Sequence, residues 1–381
     1  MLRMLKRVRE DKVILYTTLT LLVLGLVMVY SSSSVLALKR YGDPAYFLKR
    51  QVLWAAAGIV AMMLAWKTDY KKVIRPLSLP ALVVVFILHC AALAGPQVNG
   101  ARRWIRLGGF SLQPSEFVKP ALLVFVSASV AKRTDKLKEF WTGLGPYIVI
   151  VGMFALLILL EPDLGTAALI LAVVGATIFV GGARPLHLMA LVLAALPVLY
   201  LKLHSGFRLD RLMAYVDPWS DPHGKGFQII QSFLAFGGGG LTGLGLGESR
   251  QKLLFLPEPH NDFIFSVIGE EFGLVGGIIV PALFLAFTLF GLRLALKCRD
   301  GFGKLLVFSL TLALGMQALM NMGVATGLFP NKGLPLPFVS YGGSSVFVAL
   351  VSVGIILSVA RTERKFMEDE GHTDTLAMTG R

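Results

Sequence analysis

Residues 13–35 read VILYTTLTLLVLGLVMVYSSSSV, a run of 23 positions with no Asp, Glu, Lys or Arg. A helix rises about 1.5 Å per residue, so the run is long enough to cross a hydrocarbon layer about 30 Å thick. Nine further apolar runs follow, at 51–66, 76–94, 114–131, 143–160, 165–180, 187–203, 263–290, 305–323 and 341–360. None shows strand alternation, and lipid leaves no water for unpaired backbone groups, so the sequence predicts an all-α fold of ten membrane helices. Composition points the same way. Of 381 residues 55% are hydrophobic and 16% charged, with a mean hydropathy of +0.70, which excludes disorder and argues against a water-soluble globule.

The formal charge of +14 would suggest nucleic acid on a soluble chain. Here topology is the first test, because cytoplasmic loops of membrane proteins are rich in Lys and Arg. Connections on the side of the two termini hold 22 Lys and Arg in 73 residues, against 13 in 110 residues on the opposite side, which predicts both termini in the cytoplasm and no nucleic-acid partner. The basic start and the small-residue cluster Ser31 to Ser34 resemble a signal peptide, but the apolar run is longer than a signal core and reads as an uncleaved anchor. Residues 1–366 form one membrane domain with a large outer loop, 204–262, between the seventh and eighth spans, and 367–381 is a short polar tail. Cys90 and Cys298 lie in an apolar run and a basic loop, so neither a disulfide framework nor a metal knuckle is expected.

The outer loop is too long to be a plain connection. Within it Phe227–Phe236 places Ile229, Ile230, Phe233 and Leu234 on one helical face and Gln228, Gln231 and Ser232 opposite, which suits a helix at the membrane surface or one packed on the bundle. The glycine-rich run 237–247 serves either close packing and turns or contact with a diphosphate, and Arg250 and Lys252 follow it as cationic candidates. Leu256-Pro-Glu-Pro-His-Asn-Asp-Phe-Ile-Phe-Ser266 then enters the eighth span. Asp262 at that mouth is either a general base in partly apolar surroundings or the N-cap of the helix that follows. Helical spacing puts Glu270 about 80° from Asp262, so it could share a cavity with it, whereas Glu271 points away towards a structural pair.

The fourth span opens with Gln113-Pro-Ser-Glu-Phe-Val-Lys-Pro120. Glu116 and Lys119 are three apart and can pair on one face; Lys119 either snorkels to the surface or lines an anionic groove. Before it, Asn99-Gly-Ala-Arg-Arg-Trp-Ile105 and Arg106 place arginines on the outer side, and a guanidinium fork matches phosphate oxygens, which makes Arg102 and Arg103 candidates for a lipid phosphate. Glu161-Pro-Asp-Leu-Gly-Thr166 and Asn331–Ser345 carry further polarity outside; turn and cap duties are the default for both, with Ser340 a binding candidate. No HExxH, CxxC pair or His cluster occurs, so no tightly held metal is expected.

In these stretches the chain resembles the SEDS family (shape, elongation, division and sporulation), bacterial peptidoglycan polymerases that include FtsW and RodA. The motifs Asn99–Ile105, Gln113–Lys119, Pro162–Thr166, Leu256–Phe265 and Pro337–Ser345 fall in family order across most of the spans. Ser249–Lys252 and Lys332-Gly-Leu look more like FtsW than RodA, and Asn261 departs from the Thr common in relatives. The resemblance implies an inverting glycosyltransferase in the bacterial cytoplasmic (inner) membrane. It would polymerise lipid II at the outer face with undecaprenyl diphosphate as leaving group, in septum synthesis at cell division. It implies Asp262 as the essential aspartate and Glu116 with Lys119 as the fourth-span pair. It also implies a class B penicillin-binding protein transpeptidase and division-complex proteins as partners. No cofactor is required by the sequence, though a loosely bound divalent cation, Mg or Mn, could assist. A RodA-like elongation role, a lipid II flippase and a catalytically silent scaffold are the alternatives.

Overall fold

The computed structural model describes residues 9–97, 101–107, 110–203, 213, 215–224, 226–252, 259–330 and 333–379. Each of the ten apolar runs forms a helix. The chain opens with α1 (Glu10–Tyr41), α2 (Tyr46–Lys67) and α3 (Arg75–Leu93), followed by an antiparallel hairpin of β1 (Ile105–Leu107) and β2 (Phe110–Leu112). Next come α4 (Pro114–Lys132), α5 (Gly145–Leu160), α6 (Leu164–Val180) and α7 (Pro185–Leu203). The α7–α9 connection carries α8 (Phe227–Gly239), and α9 (Ile264–Lys297), α10 (Gly301–Ala325) and α11 (Gly343–Thr379) complete the chain. Among the described residues eight helices are long and apolar enough to cross a membrane, and the shorter apolar stretches Leu164–Val180 and Pro185–Pro197 take the sixth and seventh places of the expected ten. Among the described residues the fold is all-α apart from the hairpin, whose three-residue strands carry too few alternations to register in a hydropathy pattern. The stretches 98–100, 253–258 and 331–332 of the sequence motifs lie outside the described residues.

Local chemistry fixes the helix ends. Asp163 caps α6 through the Thr166 amide, Asp300 caps α10 through Gly303, Pro114 occupies the first turn of α4, and Gly42 ends α1 in the left-handed conformation at φ 71°. Glycines then set how close the spans come. A Cβ on Gly58 of α2 would lie 2.7 Å from Leu350, and one on Gly354 of α11 would lie 2.5 Å from the Met62 carbonyl, so these two helices meet at backbone distance. α1 packs along α9 and is an integral part of the bundle.

α9 is broken. Gly273 has φ 62° and ψ −152°, and the glycine-rich run closes the gap: Leu244 N donates to Glu270 O (3.0 Å), Gly245 N to Glu271 O (3.0 Å) and Leu274 N to Gly240 O (2.9 Å). A Cβ on Gly239 would sit 2.1 Å from Gly269 O. Where the run meets α9 its glycines serve close packing: Gly245 N is spent on α9, Gly243 N on Gly239 O, and a Cβ on Gly243 would lie 2.1 Å from Glu271 O. α8 likewise packs on α9, burying Ile229, Ile230 and Ser232, with the Ser232 hydroxyl bonded to Ser266 and to Ala325 O. Phe233 and Leu234 of its apolar face remain partly exposed.

Candidate active site

The turn carrying Asp262 is held from three sides. Asn321 Nδ2, inside α10, donates to Asp262 O (2.9 Å) and Leu334 O (2.7 Å). Ser340 Oγ donates to Asn261 O (2.6 Å) and accepts from Leu336 N (2.8 Å), and Tyr341 N donates to His260 O (2.8 Å). Gln51 of α2 reaches the same segment, its Nε2 donating to Ser340 O (3.1 Å) and its Oε1 accepting from Gly342 N (3.2 Å). Burying these amides inside apolar spans is costly unless every donor is used, and here they fix one backbone conformation. α9 starts at Ile264 with Phe263 in the capping position.

Asp262 opens onto a cleft of about 420 Å³. Arg50 and Trp54 come from α2; Arg103, Trp104, Arg106 and Ser111 come from the hairpin segment. Arg106 faces Ser111 across the strand pair, so both project to one side. Arg50 lies over the Tyr46 ring with its guanidinium carbon 4.7 Å from the centroid. Arg103 donates through Nε to Glu161 O and through Nη2 to Pro162 O (3.0 Å), which orients the guanidinium at the wall. Among the described lining residues, one carboxylate stands against three guanidinium groups, an excess of positive charge suited to a diphosphate.

Glu116 and Lys119 form a buried ion pair at 2.8 Å, and Lys119 Nζ also donates to Gln317 Oε1 (2.7 Å). Lys119 is 6% exposed and does not snorkel. The pair lines a narrow cavity of about 20 Å³ whose wall includes Ser345, a residue that also borders the Asp262 cleft. Lys119 thus stands behind the cleft, not in it.

Several expected ligands belong to the scaffold. Glu270 was expected to share a cavity with Asp262; its carboxylate is instead saturated by the Ser249 hydroxyl, Arg250 N (3.0 Å) and Gln251 N (3.3 Å), because the break in α9 lets the 249–251 segment fold over it. Lys252, expected at the diphosphate, is buried against Glu271 Oε1 (3.1 Å), Ser31 Oγ (3.2 Å) and Gly247 O. Arg250 is exposed and contributes its backbone amide to Glu270. Arg102 is exposed and outside the cleft lining, with Nη1 3.5 Å from Leu93 O. Ser340 is fully engaged in holding the Asp262 turn.

Two buried titratable groups flank the cleft. His260 packs 4.5 Å from the Phe47 ring, and burial, with Arg40 adding to it, lowers its pKa to about 4. Glu161 is pushed up to about 8 by burial first and by Asp163 second, against the pull of Arg103. Sequence reading missed Arg50, Trp54, Gln51, Gln317 and Asn321. The available signal was a polar residue inside an apolar run: Gln51 opens 51–66, and Gln317 and Asn321 lie within 305–323.

The profile of the FtsW/RodA/SpoVE family, described as "Cell cycle protein", matches residues 11–365. The chain belongs to this family. It is 47% identical over 356 residues to the probable peptidoglycan glycosyltransferase FtsW of Geobacter metallireducens, covering 92% of this chain and 95% of that one. Stage V sporulation protein E of Bacillus subtilis is 41% identical over 363 residues, covering 94% and 99%. Among solved structures, a chain of a peptidoglycan synthase complex that coordinates polymerization and crosslinking superimposes with a TM-score of 0.75 at 29% identity, covering 92% of this chain and 97% of its own. The rod shape determining protein RodA of Thermus thermophilus does so with a TM-score of 0.68 at 27% identity, covering 92% and 96%. The helical membrane architecture is thus a family property.

Proposed function

We propose that the chain is a peptidoglycan glycosyltransferase that polymerises lipid II at the outer face of the bacterial cytoplasmic membrane, with both termini in the cytoplasm. The observation that carries this reading is the carboxylate of Asp262 facing Arg50, Arg103 and Arg106 across one cleft beside the membrane bundle. Asp262 accepts the proton of the acceptor sugar's 4-hydroxyl as that oxygen bonds to the anomeric carbon of the growing strand. The bond from that carbon to the diphosphate oxygen breaks, configuration inverts, and undecaprenyl diphosphate leaves with the electron pair. The guanidinium groups offset the charge that develops on it. General base catalysis supplies about 10² to 10⁴ in rate, and positioning in the cleft supplies much of the remainder.

Among the described residues no three His, Cys, Asp or Glu side chains converge on a metal site. A loosely bound divalent cation, Mg or Mn, would assist by offsetting charge on the diphosphate. The relatives named FtsW support a division role, and the synthase-complex neighbour supports a class B penicillin-binding protein as partner, with other division-complex proteins beyond it.

The test is a product gel of lipid II polymerisation by the purified protein, with and without its transpeptidase. Asp262→Asn keeps size and hydrogen-bonding capacity but cannot take the proton, and a rate loss of about 10² or more is expected. Polymerisation by Asp262→Asn at the wild-type rate overturns the base assignment. Because transport makes no glycan, the same gel separates this reading from a flippase.

A further inference from the structure

Asp43-Pro-Ala-Tyr46-Phe-Leu-Lys-Arg50 leads from α1 into α2 and carries two adjacent cations that the fold sends to different places. Lys49 turns outward, its Nζ 2.7 Å from Asp43 Oδ2. Arg50 turns to the Asp262 cleft, and its guanidinium carbon lies 4.7 Å from the centroid of the Tyr46 ring, one helical turn before it. That ring is itself fixed. Tyr41, the last residue of α1, stacks on it at 3.8 Å with the planes 7° apart, and Phe47 meets it edge-on at 5.4 Å. Two parallel rings at that spacing leave no room between them, so the guanidinium takes the other face. Phe47 is buried and reaches on to Tyr341 at 5.0 Å and His260 at 4.5 Å, whose backbones join at the Asp262 turn through Tyr341 N and His260 O. One aromatic cluster therefore ties the support of Arg50 to the turn that carries Asp262.

The kind of support matters to the chemistry. An ion pair would hold an arginine and neutralise it. A ring face holds the cation by its quadrupole and leaves the net charge to the cleft. Without a support, a long side chain at the rim of the bilayer spreads over many rotamers and is drawn to water.

We propose that Tyr46, backed by Tyr41, is a positioning residue that aims the Arg50 guanidinium at the lipid-linked diphosphate in the Asp262 cleft. This rests on the reading of that cleft as a diphosphate site. The ring face carries the effect, and the Tyr46 hydroxyl is dispensable.

The quantity to measure is kcat/KM for lipid II polymerisation, with the full chain and its transpeptidase partner, for wild type, Tyr46→Leu, Tyr46→Phe, Arg50→Ala and the Tyr46→Leu/Arg50→Ala double variant. Tyr46→Leu should lower it about five- to tenfold, the scale of one cation–π contact. Tyr46→Phe, which restores the ring, should recover most of that loss. The double variant should match Arg50→Ala alone, because the ring acts only through the arginine. A Tyr46→Leu value equal to wild type, a Tyr46→Phe loss as large as that of Tyr46→Leu, or an undiminished Tyr46→Leu loss in the Arg50→Ala background overturns the proposal. Failure of the underlying reading looks different: Arg50→Ala itself then keeps the wild-type value. Should Tyr46→Leu not fold, phenylalanine analogues with increasing numbers of ring fluorines at position 46 keep the ring's shape while draining negative potential from its face. A kcat/KM that falls as fluorines are added supports the proposal, and a flat series overturns it.

Discussion

Replacing Lys252 by Met asks whether this lysine serves substrate, as its place beside Arg250 in the sequence suggests, or the scaffold, as its contacts require. In the folded chain Lys252 Nζ lies 3.1 Å from Glu271 Oε1, and the two side chains are 6% and 0% exposed. Ser31 Oγ donates to the same carboxylate oxygen (2.6 Å), and Glu271 Oε2 has no hydrogen-bond partner among the described residues. Removing the cation leaves a buried carboxylate with one hydroxyl as its remaining support. Breaking a buried ion pair from one side costs about 3–5 kcal/mol. Replacing both partners by neutral groups of similar size should recover most of that, since the stranded charge disappears with its partner. The assay is thermal or denaturant unfolding in detergent, followed by tryptophan fluorescence, on wild type, Lys252→Met, Glu271→Gln and the double variant. KM for lipid II is measured on each. Both single variants should be destabilised, the double variant less than the sum, and KM should stay within about twofold wherever the protein remains folded. A Lys252→Met protein with wild-type stability and a KM raised tenfold would refute the scaffold assignment and return Lys252 to the substrate.

Two other outcomes follow from the same geometry. A Cβ on Gly333 would lie 3.2 Å from Asp262 Oδ2, so Gly333→Val should crowd the carboxylate and lower kcat about tenfold or more while unfolding is unchanged, because the position is exposed; unchanged kcat in a polymerisation time course would count against Asp262 as the base. His260 has a pKa depressed from 6.5 to about 4, so the unfolded chain takes up the proton first as pH falls, and wild type should lose about 2 kcal/mol more stability than His260→Phe between pH 7 and pH 5. Parallel stability curves for the two proteins would show that the imidazole is not buried neutral.

How far the site could be read in advance differs from residue to residue. Asp262 and Arg103 carry their signal locally, an acid at a span mouth and an arginine outside where few are expected, and both border the cleft. Arg50 carries no such signal. It follows Lys49 at the end of an ordinary basic segment, and only the fold of α2 against α11 brings it to the cleft. Glu270 misled for a definite reason: a helical wheel assumes an unbroken helix with nothing inserted beside it, whereas Gly273 breaks α9 and the 240–251 segment occupies the face on which Glu270 was expected to meet substrate.

The membrane-crossing helices and the caps at Asp163 and Asp300 were the sequence's own decision, because spanning length and capping are properties of contiguous residues. Which other charged groups border the cleft and which are paired elsewhere was settled by the tertiary structure. Ser31 meets Glu271 across 240 positions, Lys119 meets Gln317 across 198, and Arg103 meets Glu161 across 58. A buried charge must find its counter-group wherever the packed chain supplies one, and that partner is fixed by how the helices assemble rather than by the residues beside it.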